Sequence, residues 1–328
     1  MFIPRRRLRW LVLLCLGLAF GSWLVLTGNR DQPSTPAWVK LGAGPPITYV
    51  DDYAQGVNIS AQAAILVENA TGTVLYAKNE HVRRAPASTT KVLTALLALE
   101  TGRLDDVVTV SRNADATPGS TAALVAGQKL TLEEALHGLL LRSGNDAAVA
   151  IAEHLQGSVS EFAKEMNLRS KELGAANSQW KNPHGLDHPG HYTTAYDLAM
   201  ISRVALLYPK FAEIVGTKNY SPQSIPRHWS NTNRLLWSYA GADGVKTGTT
   251  SQAGHCLVAA ASRDGRQLIS VVLGSSDRWS DSTRLLNYGF DNFHLIPIAT
   301  KGQVIAELQI EGAVAPRLEA VALQDCSQ

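Results

Sequence analysis

Strand-like runs occur at two places far apart in this chain, and the stretch between them is patterned for helices. Near the start, Ala63–Glu68 and Thr73–Ala77 flank the turn Asn69–Gly72, which is the signal of a β-hairpin. Some 160 residues later, Gly244–Thr249, Cys256–Ala261 and Leu268–Leu273 read as strands, the last two joined at Asp264-Gly265. Between them, Lys91–Leu99 is an almost continuous apolar surface expected to be a buried helix. Thr131 and Glu134 form a capping-box pattern ahead of Ala135–Leu141. Asp146–Leu155 and Glu161–Leu173 read as further helices, the second stopped by Gly174, and Thr194 caps another. Asp281–Phe293 closes the series as a helix. The simplest closure is a mixed α/β fold of the α+β kind. One antiparallel sheet places the N- and C-terminal strands side by side, flanked by a helical cluster.

The first 30 residues are read as something other than fold. Arg5, Arg6, Arg7 and Arg9 precede Trp10–Leu26, a run of 17 residues without a charge, near the lower limit for a membrane-spanning helix. The basic cluster places the N-terminus in the cytoplasm and the body outside. No clear small-residue cleavage site follows, so an uncleaved signal anchor is expected, with a cleaved signal peptide as the alternative. Residues 31–46, rich in Pro, Gly and Ser, form a linker. The formal net charge of +2 reverses once the four arginines are set aside, leaving 26 basic against 28 acidic residues. No basic stripe remains to argue for nucleic acid. Of three cysteines, Cys15 is apolar filler, and Cys256 is expected as a buried free thiol in preference to a Cys256–Cys326 disulfide. No metal-ligand spacing is present, and neither metal nor cofactor is expected.

Three short motifs carry the chemistry. Ser88-Thr89-Thr90-Lys91 reads S-x-x-K, Ser143-Gly144-Asn145 reads S-x-N, and Lys246-Thr247-Gly248 reads K-T-G. Each alone has an ordinary explanation: a helix face, an interhelical turn, a strand end. Together they supply a serine, a base, a relay and a cation. A serine hydroxyl needs a base to take its proton, and on a helix Ser88 and Lys91 share one face. With Ser88 in the first turn, its backbone N–H would face an oxyanion at the positive end of the helix. Burial of Lys91 and a second cation at Lys246 would both disfavour its ammonium.

This ordered triplet belongs to penicillin-binding proteins and class A β-lactamases. The chain resembles the low-molecular-mass penicillin-binding proteins, serine-type D-alanyl-D-alanine carboxypeptidases. The likeness extends through Ala63–Lys78, Pro86–Thr94, Leu141–Ala148, Asn182–Leu186 and His191–Ala195, covering roughly residues 47 to 290. The resemblance implies a β-lactamase/transpeptidase-like catalytic domain at 47–293. It implies that Ser88 forms an acyl-enzyme with a peptidoglycan stem peptide and that Lys91 accepts the proton. Ser143 would relay a proton to the leaving D-alanine, and Asn145 would bind the substrate amide. Lys246, Thr247, Gly248 and Thr249 would hold the terminal carboxylate, with the backbone N–H groups of Ser88 and Thr249 as oxyanion hole. β-Lactams would inhibit by acylating Ser88. His184 and His191 fall in a loop that carries structure. Residues 294–328 are expected to be a truncated C-terminal β appendage leaning on the body, which would leave membrane attachment to the N-terminal segment.

A class A β-lactamase needs a deacylating glutamate, and Ser178–His184 holds no carboxylate, so slow deacylation of penicillin is expected. A D,D-endopeptidase would use the same machinery on cross-links, and pocket shape decides between them. A catalytically silent envelope-binding protein would have lost catalytic polar residues, and all are present.

Overall fold

The structure, a computed structural model, describes residues 57–295 without a break. Beyond them it describes Gly302 and the strands Pro297–Ala299, Val304–Gln309, Arg317–Val321 and Cys326–Ser327. The expected membrane segment and linker lie outside the described residues. Among those described, no helix is long and apolar enough to cross a membrane.

Five strands form the central sheet: β1 (Ala63–Glu68), β2 (Val74–Lys78), β3 (Ala242–Thr250), β4 (Gly254–Arg263) and β5 (Arg266–Ser275), in the order β2-β1-β5-β4-β3. All pairs are antiparallel. The N-terminal hairpin therefore joins the C-terminal strands through β1 and β5, with Ala63 opposite Leu273 and Glu68 opposite Leu268. This is the closure expected from the element order, and it leaves β3, the K-T-G strand, at an edge.

Both faces of the sheet are covered, which is why the middles of β1, β4 and β5 are largely apolar instead of alternating. Ile65, Val67, Val258, Val271 and Leu273 face the helical cluster. Ala64, Leu66, Leu257, Ala259 and Val272 face the other side, where Leu285 and Leu286 of the C-terminal helix pack. Each such leucine contributes about 2 kcal/mol of burial.

Among the described residues the α-helices, in chain order, are α1 (Lys91–Thr101), α2 (Leu132–Leu141), α3 (Asn145–Gln156), α4 (Val159–Glu172), α5 (Ala195–Leu206), α6 (Pro209–Gly216) and α7 (Arg278–Asn292), with single α-turns at Arg112–Asp115 and Leu235–Ser238. The capping box at Thr131 and Glu134 is complete, and Thr194 caps α5 by accepting from Asp197 N. Helix α7 begins three residues before its expected start because Asp277 accepts from Trp279 N and Ser280 N.

One expectation needs refinement. Ser88 lies in a separate 3₁₀ turn, Ala87–Thr90, which leads into α1 at Lys91. Ala87 opens that turn with φ +49°, a conformation that costs a non-glycine residue energy and is retained where the surroundings enforce it. In the C-terminal stretch, Val304–Gln309 pairs antiparallel with Arg317–Val321. Cys256 is buried and free, as expected, and burial pushes its thiol up to about 11.

Candidate active site

Three parts of the fold meet at Ser88. The 3₁₀ turn and α1 carry Ser88 and Lys91. The turn between α2 and α3 carries Ser143 and Asn145. The edge strand β3 runs past both with Lys246, Thr247, Gly248 and Thr249. A Cβ built on Gly248 would lie 2.9 Å from Ser88 N and 3.0 Å from Ala87 Cβ, so a side chain at 248 would collide with the turn carrying Ser88.

Lys91 is wholly buried. Its Nζ lies 3.0 Å from Ser88 Oγ and donates to Asn145 Oδ1 at 2.7 Å and to the His184 carbonyl at 2.6 Å. Burial pushes its pKa well below the ordinary lysine value, the charge on Lys246 lowers it further, and Asp146 opposes both. The neutral amine is therefore favoured.

Ser143 has φ +60°. Its Oγ is buried and makes no hydrogen bond among the described residues. Asn145 uses both ends of its carboxamide inside the protein, accepting from Lys91 and donating to the Pro118 carbonyl at 2.7 Å. One lone pair and one N–H of the carboxamide remain beyond these two bonds.

On β3, Lys246 is buried, and its pKa falls to about 7 through burial and the nearby Arg278. Thr247 Oγ1 lies 2.9 Å from Thr232 Oγ1. Arg278 Nη1 donates to the Gly248 carbonyl at 2.7 Å and to Thr249 Oγ1 at 2.8 Å. A cavity of about 520 Å³ opens beside this strand, lined by Thr232, Arg234, His255, Arg278 and Trp279 among others. Sequence reasoning missed Arg278, which comes from a helix start 30 residues beyond the last motif, and the pocket, whose lining also draws on residues 231–234 and on His255.

The loop 182–191 forms the floor. Asn182 Oδ1 accepts from Gly185 N at 2.7 Å, and its Nδ2 donates to the Leu186 carbonyl at 3.0 Å, closing the turn. Thr94 Oγ1 donates to the Pro183 carbonyl at 2.6 Å. The His184 imidazole is held neutral, with its pKa lowered to about 3 by burial and by the charges on Lys91 and His191. His191 lies between Thr90 Oγ1 and Lys181 N, with its pKa lowered to about 4 chiefly by burial. Neither ring is poised for acid–base work near neutrality, in keeping with their structural assignment. The contact that sequence reasoning did not foresee is the main-chain carbonyl of His184 on Lys91. Among the described residues, no group of three or more His, Cys, Asp or Glu is placed to hold a metal ion.

Residues 50–277 match the family model described as D-alanyl-D-alanine carboxypeptidase. The chain is 40% identical to the D-alanyl-D-alanine carboxypeptidase DacF of Bacillus subtilis over 76% of this chain and 67% of that protein. It is 38% identical to the D-alanyl-D-alanine carboxypeptidase of Streptomyces sp. strain K15, over 71% of this chain and 88% of that protein. The crystal structure of the Streptomyces K15 DD-transpeptidase superposes with a TM-score of 0.69 at 36% identity, covering 73% of this chain and all of that one.

Proposed function

The chain belongs to the D-alanyl-D-alanine carboxypeptidase family of serine peptidases, and we propose that Ser88 is the nucleophile with which it removes the terminal D-alanine of peptidoglycan stem peptides. The observation that carries this reading is the hydrogen-bond set of Lys91. Two of its three partners, Asn145 Oδ1 and the His184 carbonyl, are oxygens that cannot donate. A neutral amine spends its two N–H groups on them and leaves its lone pair facing Ser88 Oγ, 3.0 Å away. That is the arrangement a general base requires.

Ser88 Oγ attacks the carbonyl carbon of the penultimate D-alanine as its proton passes to Lys91. The negative oxygen of the tetrahedral adduct is received by the backbone N–H groups of Ser88 and Thr249. Asn145 orients the peptide amide. Lys246, with the hydroxyls of Thr247 and Thr249 and the close approach permitted by Gly248, holds the substrate carboxylate. The unpartnered Ser143 hydroxyl carries a proton to the departing D-alanine nitrogen, and the C–N bond breaks. Water then attacks the ester, returning a proton through Lys91 and freeing Ser88.

A β-lactam presents an amide and a carboxylate in the same relation and acylates Ser88. The ester is long-lived because Ser178–His184 supplies no carboxylate to activate water. A second acceptor, an amine in place of water, is favoured by the K15 relative, which bears both names, carboxypeptidase and transpeptidase. The body works outside the cytoplasmic membrane, attached by residues 1–30, with residues 294–328 as a β appendage to the catalytic domain.

Peptide mapping after benzylpenicillin treatment tests the nucleophile. The adduct is expected on the peptide bearing Ser88, to be absent in Ser88→Ala and to persist for many minutes. An adduct elsewhere, or one that disappears as fast as it forms, contradicts the reading.

A further inference from the structure

Asp146 follows the S-x-N motif and lies outside the three motifs. It is 1% exposed at the start of α3, yet most of its hydrogen bonds leave the helix. Its carboxylate accepts from Thr121 Oγ1 at 2.6 Å, from Ala122 N at 3.0 Å and from Leu124 N at 3.0 Å, and within α3 from Ala147 N at 2.9 Å. The segment gripped in this way returns two carbonyls to the site. Pro118 O accepts from Asn145 Nδ2, and Ser120 O accepts from Asn145 N, each at 2.7 Å. Trp229 Nε1 holds the Ala122 carbonyl at 2.9 Å from the opposite side.

The middle residue of S-G-N is fitted to this grip. A Cβ on Gly144 would lie 2.5 Å from Asp146 Oδ1 and 2.9 Å from Ala122 N, so the carboxylate occupies the space a side chain there would need.

We propose that Asp146 is a positioning residue for the serine–lysine pair: its carboxylate clamps segment 118–124 onto the turn carrying Ser143 and Asn145. The proposal rests on the reading of Lys91 as base. Three groups bear on Lys91: Lys246 from the edge strand, Asp146 from α3, and His184 from the floor loop, whose ring is neutral. Asp146 is the anion among them and favours the lysine's proton, opposing burial and Lys246. Acceptance of charge-assisted hydrogen bonds by a buried carboxylate is the stronger kind of clamp.

The test is the pH dependence of the acylation rate constant with benzylpenicillin, measured on wild type, Asp146→Asn and Thr121→Val of the full chain. Asp146→Asn keeps the size and one acceptor oxygen but removes the charge, so its acid limb is expected at lower pH than that of wild type, with a lower maximum. Thr121→Val removes one hydrogen bond and leaves the charge, so its maximum is expected to fall roughly fivefold with the limb unmoved. Wild-type rates in Thr121→Val at an unchanged melting temperature overturn the clamp, even where Asp146→Asn does not fold. A limb in folded Asp146→Asn that coincides with wild type overturns the electrostatic role. Absence of any acid limb in wild type instead removes Lys91 as base, and the electrostatic role with it.

Discussion

Lys91 and Lys246 stand 0% and 1% exposed on neighbouring elements, and the charge on Lys246 disfavours a charge on Lys91. The pair thus assigns its own roles. On the proposed reading, the lysine facing the serine serves as base and the lysine on the edge strand is the cation for the substrate carboxylate.

A bell-shaped pH profile follows for kcat/KM, with limbs that belong to the coupled pair. The acid limb reflects deprotonation of Lys91 and lies well below the ordinary lysine range. The alkaline limb reflects loss of the Lys246 charge, near pH 7 in the free enzyme. A bound carboxylate stabilises that charge, so the alkaline limb of kcat is expected at higher pH than that of kcat/KM. Steady-state kinetics with a D-Ala-D-Ala peptide from pH 5 to 10 checks this.

Arg278 lowers the pKa of Lys246 and holds both Gly248 O and Thr249 Oγ1. Arg278→Ala is expected to lower kcat/KM on the order of tenfold, the scale of a lost charged hydrogen bond. Its alkaline limb should move to higher pH, because one neighbouring positive charge is gone. A lower rate with an unmoved limb would mean that the arginine only shapes the strand.

Gly185 has φ +89°, and a Cβ there would lie 1.9 Å from the Ala87 carbonyl oxygen. Gly185→Ala therefore strains the backbone and pushes the floor loop off the nucleophile turn. A loss of stability of about 3 kcal/mol, read from denaturant midpoints, is expected together with slower penicillin acylation.

The two floor-loop histidines make stability fall in acid. His191 titrates at about 4 when folded against 6.5 as the free group, so between those values the unfolded chain binds the extra proton. Its contribution is complete above pH 6.5 and is lost as pH falls toward 4, roughly 3 kcal/mol in all. His184 adds in the same direction, with its folded value at about 3. Urea unfolding is expected to show this decline, and His191→Phe to flatten it while lowering stability at pH 7.

The fold was largely legible because its signals are local. The Asn69–Gly72 turn, the Thr131–Glu134 box and the Asp264-Gly265 turn each announce an element and its boundary, and the adjacency of β1 and β5 follows from laying the N-terminal hairpin against the C-terminal run of strands. The three motifs named the residues that converge. Main-chain chemistry was not legible: the His184 carbonyl on Lys91 and those of Pro118 and Ser120 on Asn145 carry no residue-type signal. The helix from Lys91 begins where expected, but the separate 3₁₀ turn that holds Ser88 was not legible, since Ala87 at φ +49° has no signature in an alanine. Asp146 and Arg278 are common residue types whose hydrogen-bond partners outside their own helices lie more than 20 positions away in the chain.

The most direct measurement is D-alanine release from a peptide ending in D-Ala-D-Ala by the wild-type chain and by Ser88→Ala. The account predicts release by the wild type and none by the variant, with both equally folded. Equal release by the two, or none from folded wild type, would contradict it.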